Sequence, residues 1–237
     1  MGATIRIAER LGLHRDGTHL DLTPTETERR RRIWWELQHI DLGLAVRCGL
    51  TPLTLMANWD TRMPLNINDD DIKPGTTEFP AEHKGLTTNS ALLWVMTIIE
   101  TQRSYFKSGV GLSWAADRSS PEDFKLAFVD KIEEDLNTKF IQYCDPVIPI
   151  HSFIQLAARA TMCGLRRLIY HPVADGKKGE RNHPQLLNQC IRCLEYDVAF
   201  HSNRGLDSFN WFIRGFFPWG ACKSEPAGFS PSQLLTI

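Results

Sequence analysis

The sequence predicts an all-α fold: an irregular multi-helix bundle with a long irregular loop at about 48–80 and a disordered C-terminal tail. Three observations predict it. Apolar residues recur at three- and four-residue steps through most of the chain, which is the period of an α-helix. Helix-start signals precede two of the longest runs, "TPTE" at 23–26 and "SPED" at 120–123. No convincing alternating strand and no internal repeat is present.

Each element follows from local pattern. In residues 2–13, Ile5, Ala8, Leu11 and Leu13 share a helical face, and "HRDG" predicts a stop at Gly17. At Thr23–Glu26 a capping Thr, a Pro at the first helical position and a Glu three residues on predict a helix over 24–47. It stops before Gly49 and Pro52. Residues 48–80 carry prolines, glycines and an Asp triplet without periodicity, the pattern of a packed or functional loop. Further helices are predicted at about 84–107, 121–143, 150–170 and 184–201. In the second of these, Phe124, Phe128, Ile132 and Leu136 recur at four-residue steps. A polar break at 171–184 separates the last two, and an aromatic segment spans 206–219. Residues 220–237 are Ser/Pro/Gly-rich and aperiodic, which predicts the disordered tail.

Bulk composition narrows the function. The net charge is 27 − 28 = −1, whereas a protein that coats nucleic acid by electrostatics alone is strongly basic. Residues 1–47 hold eight Arg and no Lys against seven acids, a local net of +1. No stretch approaches the roughly 18 consecutive apolar residues of a membrane helix. The N-terminal residues lack a signal-peptide core, and Arg6 stands where a myristoylation signal prefers Ser or Thr. The chain is therefore expected to be soluble and intracellular, with no membrane partner. Six cysteines without a secretion signal are expected as core residues, not as a disulfide framework.

Four candidate clusters carry chemistry-bearing residues. Arg29–Arg32 reads as a basic patch or import signal, but four consecutive helical residues spread over about 300° of the wheel and cannot face one groove. Glu26, Glu28 and Glu36 offer partners at helical spacing. On the same helix Ile33, Leu37, Ile40 and Leu44 form one apolar stripe, and Trp35, Leu42 and Val46 a second nearly opposite, the pattern of a helix buried on two sides. Asp41 lies beside the stripe and calls for a partner. Cys190-x-x-Cys193 is the one close cysteine pair, without a second pair or His pair at zinc spacing, so both are expected in the core. Asp69–Asp71 raises an all-α isoprenoid-synthase reading. The D-D-x-x-D/E pattern fails at Lys73 and Pro74, and the triplet sits in a loop, not a helix. His14 and His19 flank a turn, but no hydrolase, zincin or phosphate-loop motif accompanies them. No catalytic, cofactor-binding or metal residue is assigned.

Three stretches together, "IRIAERLGLHRDG" (5–17), "LTPTETERRRRIWWELQHIDLGLAVRCGLTP" (22–52) and "MPLNINDDDI" (63–72), carry a family pattern. They resemble the regulatory "middle homology" domain of fungal zinc-cluster transcription factors. In that family a G-L-H-R-D-like turn precedes an E-x-x-R-R-R-x-W-W helix bearing an Asp, here Asp41. A G-x-P turn follows, here Gly49 to Pro52 with one extra residue. A P-x-N-x-x-D-x-D/E segment comes next, matched by Pro64, Asn66, Asp69 and Asp71. "WFIRGFFPW" (211–219) also resembles such proteins.

The resemblance implies an all-helical regulatory domain over 1–219, N-terminally incomplete, that performs no chemistry. It also implies a transcription regulator in the nucleus, with a metabolic or secondary-metabolite gene cluster as its target. The chain departs from the family pattern in three respects. The six cysteines are scattered from Cys48 to Cys222, whereas a zinc cluster packs them into one short segment. The first helix opens at the start of the chain with its apolar stripe already running, and the tail replaces further helix. The expected partners are therefore proteins, a full-length regulator or a second copy, with room for a small-molecule effector and no direct specific DNA binding. Alternatives are an isoprenoid-synthase-like enzyme or a non-functional regulator fragment.

Overall fold

The computed structural model describes residues 1–48, 52–56, 58–107, 121–170 and 184–210. Among these, every regular element is helical: α1 (Gly2–Arg10), α2 (Pro24–Cys48), α3 (Leu53–Met56), α4 (Ser90–Lys107), α5 (Glu122–Lys139), α6 (Pro149–Tyr170) and α7 (Pro184–Ser202). Short 3₁₀ turns occupy Gly17–Leu20, Asp69–Asp71, Ile141–Tyr143 and Arg204–Phe209. The all-α expectation holds. The predicted tail at 220–237, all but the last residue of the break at 171–184, and residues 211–219 of the aromatic segment 206–219 lie outside the described residues. No helix among the described residues is long and apolar enough to cross a membrane.

The chain divides into two compact units, Met1–Ser113 with Asp135–Tyr143, and Trp114–Glu134 with Cys144–Ile237. In the first, α1 ends earlier than its glycines suggest. Gly12, not Gly17, takes the left-handed conformation at φ 73°. Gly12 N donates to Glu9 O and Leu13 N to Ala8 O, both at 2.9 Å, a complete Schellman cap. Leu13 is thereby buried and Leu11 left exposed, so the predicted face of Ile5, Ala8, Leu11 and Leu13 loses one member. Gly17 instead lies against Thr27, where a Cβ would stand 2.9 Å from the Thr27 Cα.

α2 begins where its sequence predicts, with Glu26 N donating to Thr23 Oγ1 at 3.3 Å. Its buried face differs from the wheel. Thr27, Glu28, Arg31, Trp34, Trp35, Gln38, Asp41 and Ala45 are buried, whereas Ile33, Ile40 and Leu44 are exposed by 47%, 44% and 42%. The expected burial on two sides is therefore corrected to burial on one, largely polar side. Hydrogen bonding stabilises that face, and a hydropathy wheel does not register it.

The described residues of the loop at 48–80 include a buried Trp59 and Ile67, and the Asp triplet forms a 3₁₀ turn, not an open loop. α4 starts at Ser90, later than predicted, because residues 85–89 are held by Asn66. The Asn66 amide Nδ2 donates to His83 O at 2.9 Å and Gly85 O at 2.8 Å. Its Oδ1 accepts from Thr87 Oγ1 at 2.8 Å and Ser90 Oγ at 3.1 Å. Beyond that point α4 buries Leu93, Trp94, Met96, Ile98 and Ile99, enough of its circumference to make it a core helix.

In the second unit α6 and α7 run antiparallel. The rings of Phe153 and Phe200 lie 6.2 Å apart near one end, and the sulfurs of Cys163 and Cys193 meet further along. Phe209 stacks on Phe153 at 4.8 Å. In α5, Val129 and Ile132 of this unit and Leu136 of the first are buried, as is Phe140 just past the helix; Phe124 is exposed and Phe128 half-buried, so the predicted four-residue series is shifted along the chain.

Candidate functional site

The arginine run is the natural starting point, because four guanidinium groups either form a surface or are consumed by the fold. Each goes to a different destination. Arg29, on the exposed side, pairs with Glu26 at 3.4 Å. Arg30 donates to Leu11 O at 2.7 Å and so satisfies a carbonyl at the end of α1. Arg31 is 4% exposed and grips Asp16 in a fork, Nε to Oδ2 at 2.8 Å and NH2 to Oδ1 at 2.9 Å. Arg32 reaches Glu28 at 3.1 Å and Asp69 at 2.6 Å. Planar bidentate geometry explains why arginine, and not lysine, stands at position 31.

Asp16 is the hub. Its side chain is fully buried and also accepts from Arg62 N at 2.9 Å, Thr18 N at 3.2 Å and Thr18 Oγ1 at 2.7 Å. Asp16 N in turn donates to Asp60 Oδ1 at 2.8 Å. One carboxylate thereby ties the turn after α1, the middle of α2 and the loop at 60–62. Burial pushes the Asp16 carboxyl up, but the Arg31 guanidinium and the Thr18 and Arg62 donors outweigh it and hold it well below the usual range. Glu28, also buried, is pushed up by that burial; Arg32 and the Leu65 amide oppose the rise.

Three tryptophans pack against this hub. Trp59 meets Trp34 and Trp35 edge-on, with ring centroids 6.0 and 5.3 Å apart. Trp35 Nε1 donates to Arg62 O at 2.9 Å, and Trp59 Nε1 to Thr54 O at 3.0 Å. Arg103 lies 3.3 Å over the Trp59 ring and donates to Trp59 O at 2.7 Å. Asp41 finds the partner its position calls for, accepting from Thr54 N at 2.8 Å and Thr54 Oγ1 at 2.9 Å.

The other clusters resolve individually. The Asp triplet is divided: Asp69 holds Arg32, and Asp71 accepts from Asn68 N and pairs with His83, each at 2.7 Å. His14 lies beside the Trp34 ring, while His19 and Arg15 both approach Asp60. Cys190 and Cys193 are buried, as their apolar helix suggests, and Cys163 joins them. No group of three or more His, Cys, Asp or Glu side chains is placed to hold a metal among the described residues. The sequence reading placed Glu28 as a partner of the run, as Arg32 confirms, but missed Asp16, Asp60, Trp59 and Arg103. The signal available for Asp16 was its place in the "HRDG" turn, fifteen residues before Arg31. The arrangement presents no nucleophile–base pair; it is a polar core that fixes a turn and a long loop onto a helix.

The fungal specific transcription factor domain matches residues 1–109. The aurofusarin cluster transcription factor of Gibberella zeae is 28% identical over 223 residues, 92% of this chain and 33% of that protein. The pyriculol/pyriculariol biosynthesis cluster transcription factor 1 of Pyricularia oryzae is 28% identical over 225 residues, 90% of this chain and 30% of its own. The fusarisetin A cluster transcription factor of a Fusarium species is 40% identical over 81 residues, 34% of this chain and 11% of its own. The chain spans about a third of the length of the first two of these. No solved structure matches it. The hub of Asp16, Arg31, Trp35 and Trp59 falls inside the segment, residues 1–109, that matches the fungal specific transcription factor domain, and these relatives are named as transcription factors.

Proposed function

We propose that this chain is part of a fungal zinc-cluster type transcription regulator, with residues 1–219 as its regulatory domain, acting in the nucleus on a metabolic or secondary-metabolite gene cluster. It works through protein contacts, with a longer regulator or a second copy, and makes no specific DNA contact itself. The observation that carries this reading is the fate of the arginine run: all four guanidinium groups are engaged within the fold. Beside the exposed Arg29, α2 leaves Ile33, Ile40 and Leu44 on one exposed apolar stripe. The relatives' names supply the gene-cluster context.

The test has two arms. A gel shift with promoter DNA from the surrounding gene cluster is expected to show no sequence-specific complex with the purified chain. A specific complex that Arg29→Ala or Arg32→Ala abolishes would overturn the reading. In sedimentation, with the parent longer regulator added, association is expected with the native chain. It is lost in a variant carrying Ile33→Glu, Ile40→Glu and Leu44→Glu, with circular dichroism unchanged.

A further inference from the structure

The second unit contains a cysteine cluster with no part in the arginine hub. Cys163 on α6 and Cys190 and Cys193 on α7 are 4%, 4% and 6% exposed and pack with Leu186. The Cys193 thiol donates to Sγ of Cys163 at 3.4 Å. Cys163 in turn faces the carbonyl O and Oε1 of Gln189, at 3.2 and 3.1 Å. A disulfide bond is about 2.05 Å long, so joining these two sulfurs takes ~1.4 Å of approach between facing helices. A cleft of about 250 Å³ opens beside this pair, its lining including Cys163, Gln189, Arg159, Arg192 and the ion-paired Arg166 and Glu133. It is large enough for a hydroperoxide, and Cys163 is the one cysteine that lines it.

The two thiols differ in a way that assigns their roles. The hydrogen bond from Cys193 pulls the Cys163 thiol down; Arg192 and Arg166 add to this, and burial opposes it. The same bond, together with burial, pushes the Cys193 thiol up. The better attacking sulfur is therefore the one at the cleft. Gln189 is compatible with a thiolate there, because a half-turn of its amide presents Nε2 as a donor in place of Oε1.

We propose that Cys163 and Cys193 form a peroxide-oxidised dithiol, in which Cys163 attacks and Cys193 resolves. Sγ of Cys163 attacks one oxygen of a hydroperoxide and breaks the O–O bond. The other oxygen leaves as water or alcohol after taking a proton, and Cys163 becomes a sulfenic acid. Sγ of Cys193 then attacks Sγ of Cys163, forming the S–S bond. The sulfenic hydroxyl leaves with the Cys193 proton as water. Two thiols lose two electrons, and the peroxide gains them. The product clamps α6 to α7 until a small thiol reduces it. In a reducing compartment such a bond is transient, as sensing disulfides are.

Trypsin separates the three cysteines, because Arg192 lies between Cys190 and Cys193. Cys163 falls in peptide 160–166, Cys190 in 182–192 and Cys193 in 193–204. The purified, reduced full chain is treated with one equivalent of hydrogen peroxide, alkylated and digested. The expected product is peptide 160–166 joined to 193–204, lighter by two hydrogens and released by dithiothreitol. In Cys193→Ser, dimedone captures a sulfenic acid on Cys163; in Cys163→Ser, none forms on Cys193. A link from 160–166 to 182–192 overturns the assignment. So does absence of any link at a peroxide level that oxidises the exposed Cys48. The wild-type map decides the pairing even where a variant folds poorly, and Cys193→Ala serves as the second variant for the sulfenic readout.

Discussion

Replacing Arg31 with methionine keeps a side chain of similar length and removes the charge opposite Asp16. The carboxylate then stays in the interior, with three of its five donors left: Arg62 N, Thr18 N and Thr18 Oγ1. Breaking a buried ion pair by deleting one partner costs about 3–5 kcal/mol. The three remaining donors place this case near the lower end, about 3 kcal/mol. That is a large part of a stability that for most domains lies at about 5–15 kcal/mol. Urea unfolding followed by tryptophan fluorescence reads it directly, because Trp34 and Trp35 lie on the same helix and are buried. Arg29→Met is the internal control. Its pair with Glu26 is exposed, and its expected effect is below about 0.5 kcal/mol. Adding Asp16→Asn to Arg31→Met removes the stranded charge and is expected to recover part of the loss. If Arg31→Met costs no more than Arg29→Met, the hub does not hold this region together and the argument fails.

Three further outcomes follow from the same geometry. Gly17→Ala brings a Cβ to 2.5 Å from Thr27 Oγ1 and 2.9 Å from the Thr27 Cα, an overpacking expected to cost about 1–3 kcal/mol in urea unfolding; full rescue by Thr27→Ala would contradict it, since the Cα remains. Because the Asp16 carboxyl is depressed in the fold, its stabilisation is present above its ordinary value of 3.8 and is lost as pH falls below that toward the folded value. Asp16→Asn is therefore less stable at neutral pH, and its stability falls less steeply than the wild type's between about pH 4 and 2; parallel acid limbs would refute this. Asn66→Ala deletes two donors and two acceptances to the segment before α4, with an expected loss of about 1–3 kcal/mol. Hydrogen exchange should accelerate at residues 83–90, and unchanged protection there would sink the idea that Asn66 sets the start of α4.

Element existence was largely readable from local chemistry, and element faces were not. The "TPTE" signal located the start of α2 because capping involves neighbours three residues apart. The buried side of α2 was misread because its members Thr27, Arg31, Gln38 and Asp41 are polar. The partners of Arg31 and Asp41, which are Asp16 and Thr54, lie elsewhere in the chain. The end of α1 was placed at the wrong glycine for a related reason. Two glycines stand five residues apart, and only the backbone distinguishes the one that turns from the one that lets Thr27 approach. The Cys163–Cys193 contact joins two helices across a break, so no spacing rule announces it.

The divergence of Arg29–Arg32 also bears on which changes α2 can accept. Consecutive helical residues point about 100° apart, and here four successive directions are read by Glu26, the Leu11 carbonyl, Asp16, and the pair of Glu28 and Asp69. A substitution disturbs one of these links. A single residue inserted between Pro24 and Glu28 rotates the rest of the helix against its surroundings and shifts the links to Leu11, Asp16 and Asp69 together. The run thus acts as a register key for α2, tolerant of exchange at Arg29 and intolerant of any slip.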